Sequence, residues 1–297
     1  MSSRAKSEPN PRTGASKLAP GLYVVATPLG NLGDISRRAI EVLTTADLVA
    51  CEDTRVTGRL FQALGLTPPR LVRYDDHAGE GTRAMLLDQI RAGKAVALVS
   101  DAGTPLVADP GYRLVRAAHD EGLRVMTVPG PSAMIAALSI AGLPSDRFLC
   151  SGFLPQRSGA RRKALGELAA VPATLVFPEA PHRLAESLAD MAAVLGPREA
   201  VIARELTKLF EETRRGSLDA LATYYAESGP PKGEVVVVIA PPGETDRQAE
   251  AETLDARLSR ALETESVRDA AAAVATATGL PRRQVYARAL ELARGRR

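Results

Sequence analysis

Two carboxylates, two glycines and two prolines are packed into the segment Ser100–Gly111, SDAGTPLVADPG, directly after the apolar run Ala95–Val99. A short apolar run with β-branched residues and turn formers at its end reads as a buried strand. A helical pattern resumes at Tyr112. In an open α/β sheet, ligands lie outside the carboxyl ends of the strands, where such loops sit. Glycine lets a ligand approach the backbone, and proline stiffens the loop that receives it. A plain connection takes about 2–6 residues, so this longer segment is read as a ligand loop.

Other polar loops follow apolar runs. Thr27–Asp34 (TPLGNLGD) has two glycines, but neither the GxGxxG nor the Walker spacing. Glu52-Asp53-Thr54-Arg55 follows Leu48–Cys51; its simplest reading is a capped helix start with acids suited to the dipole. In Val128–Ala133 (VPGPSA), Pro131 at a first helical position and the small Ser132-Ala133 step leave backbone N–H groups open to a ligand. Pro178–Arg183 (PEAPHR) and Arg204–Lys208 (RELTK) come from the second half. His182 reads equally as a helix cap or a functional group, His119 as a solvent residue, and His77 has no informative context. No His, Cys or carboxylate cluster has metal-ligand spacing, so no metal is expected.

The elements that must position these loops alternate. Strands are expected over 22–26, 47–51, 95–100, 124–128, 147–151, 173–178, 200–204 and 234–240. Helices are expected over 36–43, 54–64, 81–92, 112–121, 131–141, 161–170, 182–195 and 217–227. That rhythm predicts largely parallel sheets with helices on both faces. Gly142-Leu143-Pro144 interrupts it. The division expected is a disordered basic tail over 1–20, an α/β domain over 21–143, a second over 144–243 and a helical appendage over 244–297.

Composition sets the outer bounds. The 297 residues are 45% hydrophobic and 25% charged, as in a soluble globular protein. The first twenty residues lack the apolar segment of a secretory signal, and no apolar run is long enough to span a membrane. Cys51 and Cys150 are far apart and form no disulfide framework, which fits a reducing cytosol. The net charge of +3 says little, but its distribution says more. Arg157, Arg161, Arg162 and Lys163 form one basic cluster. Arg282, Arg283, Arg288, Arg294, Arg296 and Arg297 form another, opposed only by Glu291. An acidic linker, Glu244 to Asp255, precedes a helix capped by Ser266 and stopped at Gly279, and Pro281 opens a second, basic helix. Two such helices read as a helix-turn-helix unit or as an α-hairpin packed on the body, and the charge asymmetry favours nucleic acid.

Taken in order, TPLGNLGDIS, EDTR, SDAGTPLVADPG, VPGPSA, SGFLP, PHR, RELTK and KGEVVVVI resemble the tetrapyrrole methylase superfamily, and within it a branch that modifies ribosomal RNA. The resemblance implies two α/β/α domains with S-adenosylmethionine in the cleft between them, a small helix-turn-helix-like all-α domain, and a cytoplasmic homodimer acting on the small ribosomal subunit. The implied reaction is 2′-O-methylation of a cytidine ribose in the decoding region of 16S ribosomal RNA. The matching motifs assign cofactor contact to Pro28, Asp101, Ala102, Gly103, Thr104, Val107, Ser132, Ala133, Ala180 and Glu234. At Ala180 the chain departs from the family's more frequent Ser, so only a backbone contact would survive there.

A sulfonium methyl is already activated, so positioning carries most of the work, about 7–11 kcal/mol. A ribose hydroxyl is still a poor nucleophile, and a group that accepts or polarises its proton helps roughly 100- to 10,000-fold. Asp53, Glu52, Asp101, Asp109, Glu205 and Lys208 are the candidates. Asp53 and Glu205 come first, followed by Lys208, with Arg55 and Arg204 holding RNA beside Arg157, Arg161, Arg162, Lys163, Arg282, Arg283 and Arg288. Two other readings stay open. One is a relative that methylates a small tetrapyrrole or a protein side chain, which would need no basic appendage. The other is a ligand-sensing helix-turn-helix regulator without turnover.

Overall fold

The computed structural model describes residues 17–75, 79–107, 111–243, 254–278 and 280–295. Most of the expected basic tail, His77, Asp109, Gly279 and residues 244–253 of the expected acidic linker lie outside the described residues.

The first sheet comprises β1 (Gly21–Val25), β2 (Leu48–Cys51), β3 (Arg70–Arg73), β4 (Ala95–Val99) and β5 (Val125–Val128), in the order β3-β2-β4-β1-β5. Every pairing in it is parallel. Its central strands β1, β2 and β4 are apolar on both faces because both faces are covered. Tyr23, Val25, Val49 and Ala97 pack with α1 (Arg37–Thr45) and α2 (Thr54–Ala63). Leu22, Leu48, Val96 and Leu98 pack with α3 (Glu80–Arg91) and α4 (Tyr112–Asp120). β1 and β4 are central neighbours, and the chain leaves them for opposite faces through α1 and α4. A crevice opens where connections diverge in this way.

The second sheet corrects the expectation of parallel strands. It comprises β6 (Phe148–Cys150), β7 (Thr174–Glu179), β8 (Glu199–Arg204), β9 (Glu212–Ser217) and β10 (Val235–Ile239), in the order β6-β7-β10-β8-β9, and only β6 and β7 pair in parallel. The loop 205–211 turns β8 back into the antiparallel β9, and β10 inserts antiparallel between β7 and β8. Both edge strands absent from the expected set, β3 and β9, lack a sustained apolar pattern. β9 (ETRRGS) contains no apolar side chain and forms through backbone pairing with β8, while its charges protect the edge.

One face of this sheet is covered by α6 (Ser158–Leu168), α7 (Leu184–Leu195) and α8 (Leu218–Ser228). The other receives α5 (Ala133–Ala141), whose Met134, Ala137, Leu138 and Ala141 pack on Val176, Val201 and Val238. α5 thus leaves β5 of the first sheet and packs on the second, tying the VPGPSA loop to both.

Helical residues 254–261 (α9), α10 (Val267–Thr278) and α11 (Arg282–Gly295) share a core of Leu258, Ala271, Val274, Val285 and Ala289. Ser266 caps α10 by accepting the Asp269 N–H at 3.3 Å. The apolar stripes of α10 and α11 are spent on this core, which leaves Arg282 and Arg283 exposed.

Candidate active site

At the carboxyl edge of the first sheet, the loops after β1, β4 and β5 are bound together. Thr27 and Gly103 exchange backbone hydrogen bonds of 2.8 and 3.1 Å. The buried Thr27 hydroxyl donates to the Ser100 carbonyl at 3.3 Å. Thr104 donates its hydroxyl to the Pro131 carbonyl at 2.8 Å, which brings in the third loop. The contacts leave no room for side chains. A Cβ on Gly103 (φ +80°) would lie 3.1 Å from Leu29 Cδ2, and one on Gly130 would lie 2.9 Å from Ala26 Cβ. Pro28 and Gly103 are buried, Ala102, Thr104, Ser132 and Ala133 are half-buried, and Asp101 and Val107 are exposed.

The loop after β2 joins through the backbone. Asp53 donates its N–H to Asp101 Oδ1 at 3.1 Å, which sets two carboxyl groups at the mouth of the crevice. Their environments differ. Asp53 caps α2 by accepting the Arg55 N–H at 2.8 Å, and its carboxylate also takes the Arg55 guanidinium at 2.6–3.2 Å. The hydrogen bonds from the Arg55 side chain and backbone hold Asp53 well below the usual carboxylate range. Although the residue as a whole is exposed, desolvation of its carboxyl group pushes Asp101 upward, helped by the neighbouring charge of Asp53 and opposed by the Asp53 N–H. The simpler reading of Asp53, a helix cap, is what this geometry displays.

The second domain faces the crevice with the loop 205–208. Glu205 (φ +51°) and Thr207 (φ +65°) are left-handed without being glycine, a strain of about 1–3 kcal/mol each that persists only where surrounding contacts over-determine it. Those contacts are present. Glu205 Oε1 accepts the Glu234 N–H at 3.0 Å and the Lys208 ammonium at 3.0 Å, and Glu234 Oε2 lies 3.4 Å from the same ammonium. The Glu205 carboxylate lies so close over Gly233 (φ +88°) that no side chain would fit there. Burial opposes the charge on Lys208, but Glu205 and Glu234 raise its pKa, and the Lys208 bond in turn lowers that of Glu205. The Lys208 stem lies on Gly30, where a Cβ would be 2.7 Å from Cγ and Cε. Lys208 and Gly30 are therefore a point where the two domains meet across the crevice.

The remaining candidates divide. Ala180 is half-buried and its N–H is already committed to Glu179 Oε1 at 2.7 Å, while its carbonyl accepts the Arg183 N–H at 3.1 Å. Glu179 is itself buried and paired with Arg183, a role that its place in an apolar run did not signal. Arg204 is held by Glu212 at 2.8 Å and by the Lys232 carbonyl at 3.1 Å. Arg157 and Lys163 are exposed. Arg161 requires correction as an RNA contact: it is 1% exposed and donates Nε to Asp190 at 2.7 Å, inside the protein. Arg162 reaches the same carboxylate from an exposed position. Arg288 is paired with Asp255 and Glu291, so its charge is largely answered locally. Thr27, Gly30 and Gly130 were missed among the contact-forming residues, although each lies in a Gly/Pro-containing motif.

Comparison with known proteins agrees with this arrangement. Residues 21–222 match the family model Tetrapyrrole (Corrin/Porphyrin) Methylases, and residues 248–293 match the RsmI C-terminal HTH domain. A cobalt precorrin-4 methyltransferase shares the fold at a TM-score of 0.56 and 20% identity, covering 74% of this chain and 94% of its own. A uroporphyrin-III C-methyltransferase from Thermus thermophilus, complexed with S-adenyl homocysteine, does so at a TM-score of 0.53 and 21% identity, covering 74% and 97%. The chain belongs to the tetrapyrrole methylase family of methyltransferases. Within it, the chain is 51% identical to a Ribosomal RNA small subunit methyltransferase I of Mesorhizobium japonicum, over 94% of both chains. It is 54% identical to one of Erythrobacter litoralis over 94% of this chain and 97% of the relative, and 45% identical to one of Escherichia coli O157:H7 over 91% and 94%. Its place in the family is with these ribosomal RNA methyltransferases.

Proposed function

We propose that the protein transfers a methyl group from S-adenosylmethionine to the ribose 2′-hydroxyl of a cytidine in the decoding region of 16S ribosomal RNA, acting in the cytoplasm as a homodimer. The observation that carries the reading is the crevice: glycine-lined loops zipped at backbone distance, two carboxyl groups joined through the Asp53 backbone, and Lys208 of the second domain lying on Gly30 of the first loop. The residues fit the cofactor. Ala102, Gly103 and Ala133 keep the loops small enough for a ligand to approach the backbone, and the acidic pair suits a cationic sulfonium and ammonium. S-adenosylmethionine, when bound, supplies an activated methyl group. Pro28, Asp101–Thr104, Val107, Ser132, Ala133, the remaining acceptor capacity of the Ala180 carbonyl and Glu234 hold it in this reading. Incubating the protein and labelled S-adenosylmethionine with small subunits that lack the modification, then mapping the label, tests the proposal. Label on a base, on protein or nowhere overturns it.

The protein's own groups divide the remaining work. Lys208, fixed by Glu205 and Glu234, orients the ribose and polarises its hydroxyl. Glu205 acts through Lys208 and is a positioning residue. The proton goes to the acidic pair, and Asp101 is the stronger base because Arg55 holds Asp53 down. Asn caps a helix about as well as Asp and exposed ion pairs contribute little, so Asp53→Asn should keep a single-turnover rate within a few-fold of wild type. Asp101→Asn, at saturating cofactor and RNA, should lose roughly 100-fold or more. The wild-type rate should rise with pH through a pKa above the ordinary Asp value, since only deprotonated Asp101 accepts a proton. A collapse in Asp53→Asn alone would return the role to Asp53.

The C-terminal helices supply RNA affinity in this reading, with Arg282 and Arg283 exposed on α11. Truncation after Gly243 should raise KM for small subunits, leave cofactor affinity unchanged and flatten the salt dependence of RNA binding by about one log-log unit per lost phosphate contact. Dimerisation is supported by apolar side chains left uncovered on α5 (Ile135, Ile140), in β6 (Phe148) and in the loop that follows it (Phe153). Sedimentation equilibrium checks it, and Ile135→Glu should shift the protein towards monomer.

A further inference from the structure

A cavity of about 490 Å³ is lined by Arg204, Glu205, Phe210, Glu212, Tyr224 and Lys232. Its character differs from that of the crevice. Phe210 is 67% exposed and Tyr224 is 38% exposed, both large apolar surfaces in water. Arg214 covers one face of Tyr224 with its guanidinium carbon 3.8 Å from the ring centroid, and Tyr225 meets Tyr224 edge-on at 5.1 Å. The platform is thus held from two sides. Arg204 and Glu212 are fixed to one another, and Lys232 lies exposed among the lining residues. Glu205 lines this cavity and accepts the Lys208 ammonium at 3.0 Å, so the cavity and the crevice share one wall.

We infer that this cavity receives an unstacked base of the single-stranded ribosomal RNA flanking the methylated nucleotide. The inference rests on the RNA reading above and adds a subsite to it. An aromatic platform offers its π-face to any base, which makes such contacts tolerant of sequence. Glu212 offers an acceptor for an exocyclic amine, and Lys232 a donor for the adjoining phosphate. Two cations, Arg204 and Lys232, and two carboxylates, Glu205 and Glu212, line the cavity, so stacking rather than charge attraction dominates here. That separates this site from the basic appendage, whose contribution fades with salt.

The test uses the full-length protein, a fluorescein-labelled oligocytidine, and unmodified small subunits. Phe210→Ala and Tyr224→Ala should each weaken oligocytidine binding about 5-fold or more by anisotropy. The factor should be nearly the same at about 50 and about 200 mM salt. Tyr224→Phe should bind like wild type, and S-adenosylhomocysteine affinity should not change in any variant. KM for small subunits should rise in parallel. Wild-type oligonucleotide binding in both folded alanine variants would overturn the inference, and so would loss of a homodimer as their main effect. If wild-type protein methylates no subunit, the reaction proposed above fails, while the binding arm still decides the cavity.

Discussion

Gly103→Val should remain folded and lose measurable S-adenosylhomocysteine binding by isothermal titration. Gly103 is buried at φ +80°, with Leu29 Cδ2 3.1 Å and the Pro131 carbonyl 3.7 Å from where its Cβ would stand. A branched side chain there must push apart the loops after β1 and β5, and those loops form the crevice. Backbone strain is the competing explanation. Gly93 has the same conformation, φ +81°, in open space. Gly93→Val therefore carries the strain without the steric effect, and it should bind the ligand normally at a similar cost in stability. Equal binding by both variants would remove the crevice from cofactor recognition.

The second large effect is on stability. The Arg161 side chain is 1% exposed and that of Asp190 is 5% exposed, with 2.7 Å between Nε and Oδ2. Ser158 also donates to Asp190 at 3.0 Å, and the Arg161 guanidinium reaches the Gln156 carbonyl at 3.0 Å. Removing one partner leaves a buried charge uncompensated, which costs about 3–5 kcal/mol. Arg162 still reaches Asp190, so Arg161→Met should fall near the lower figure, with Tm down by roughly 6–12 °C. Adding Asp190→Leu should recover much of the loss, because a buried pair replaced by apolar groups is often neutral. Burial opposes the Asp190 charge, but Arg162, Arg161 and Ser158 outweigh it and hold its pKa below the ordinary value. The pair therefore stabilises the fold above the unfolded Asp pKa, about 3.9, and that stabilisation is lost as pH falls through the lower folded pKa. A single variant within about 1 kcal/mol of wild type would show that Asp190 finds water or another partner.

Much of this was written in local chemistry. Strand β4 and its loop were legible because an apolar run followed by glycines and prolines has few other uses. The Ser266 cap and the Pro281 start of α11 were legible for the same reason, since caps act within one turn. The ordered series of loop motifs pointed to the family, and with it the fold and the class of reaction. What a side chain meets across the fold was not local. The antiparallel run of the second sheet depends on where β10 inserts, and β9, polar along its whole length, becomes a strand only because β8 offers it backbone partners. Arg161 and Lys163 are near neighbours in one basic string, yet helix geometry turns the first inward to Asp190 and the second into solvent. Asp53 and Asp101 are 48 positions apart, and only parallel packing of β2 beside β4 sets them side by side and gives their carboxyl groups opposite tendencies. Residue types and short spacings determined which chemistry the chain can do; long-range packing decided which of those groups can reach one another, because burial and pairing set charge, strain and access.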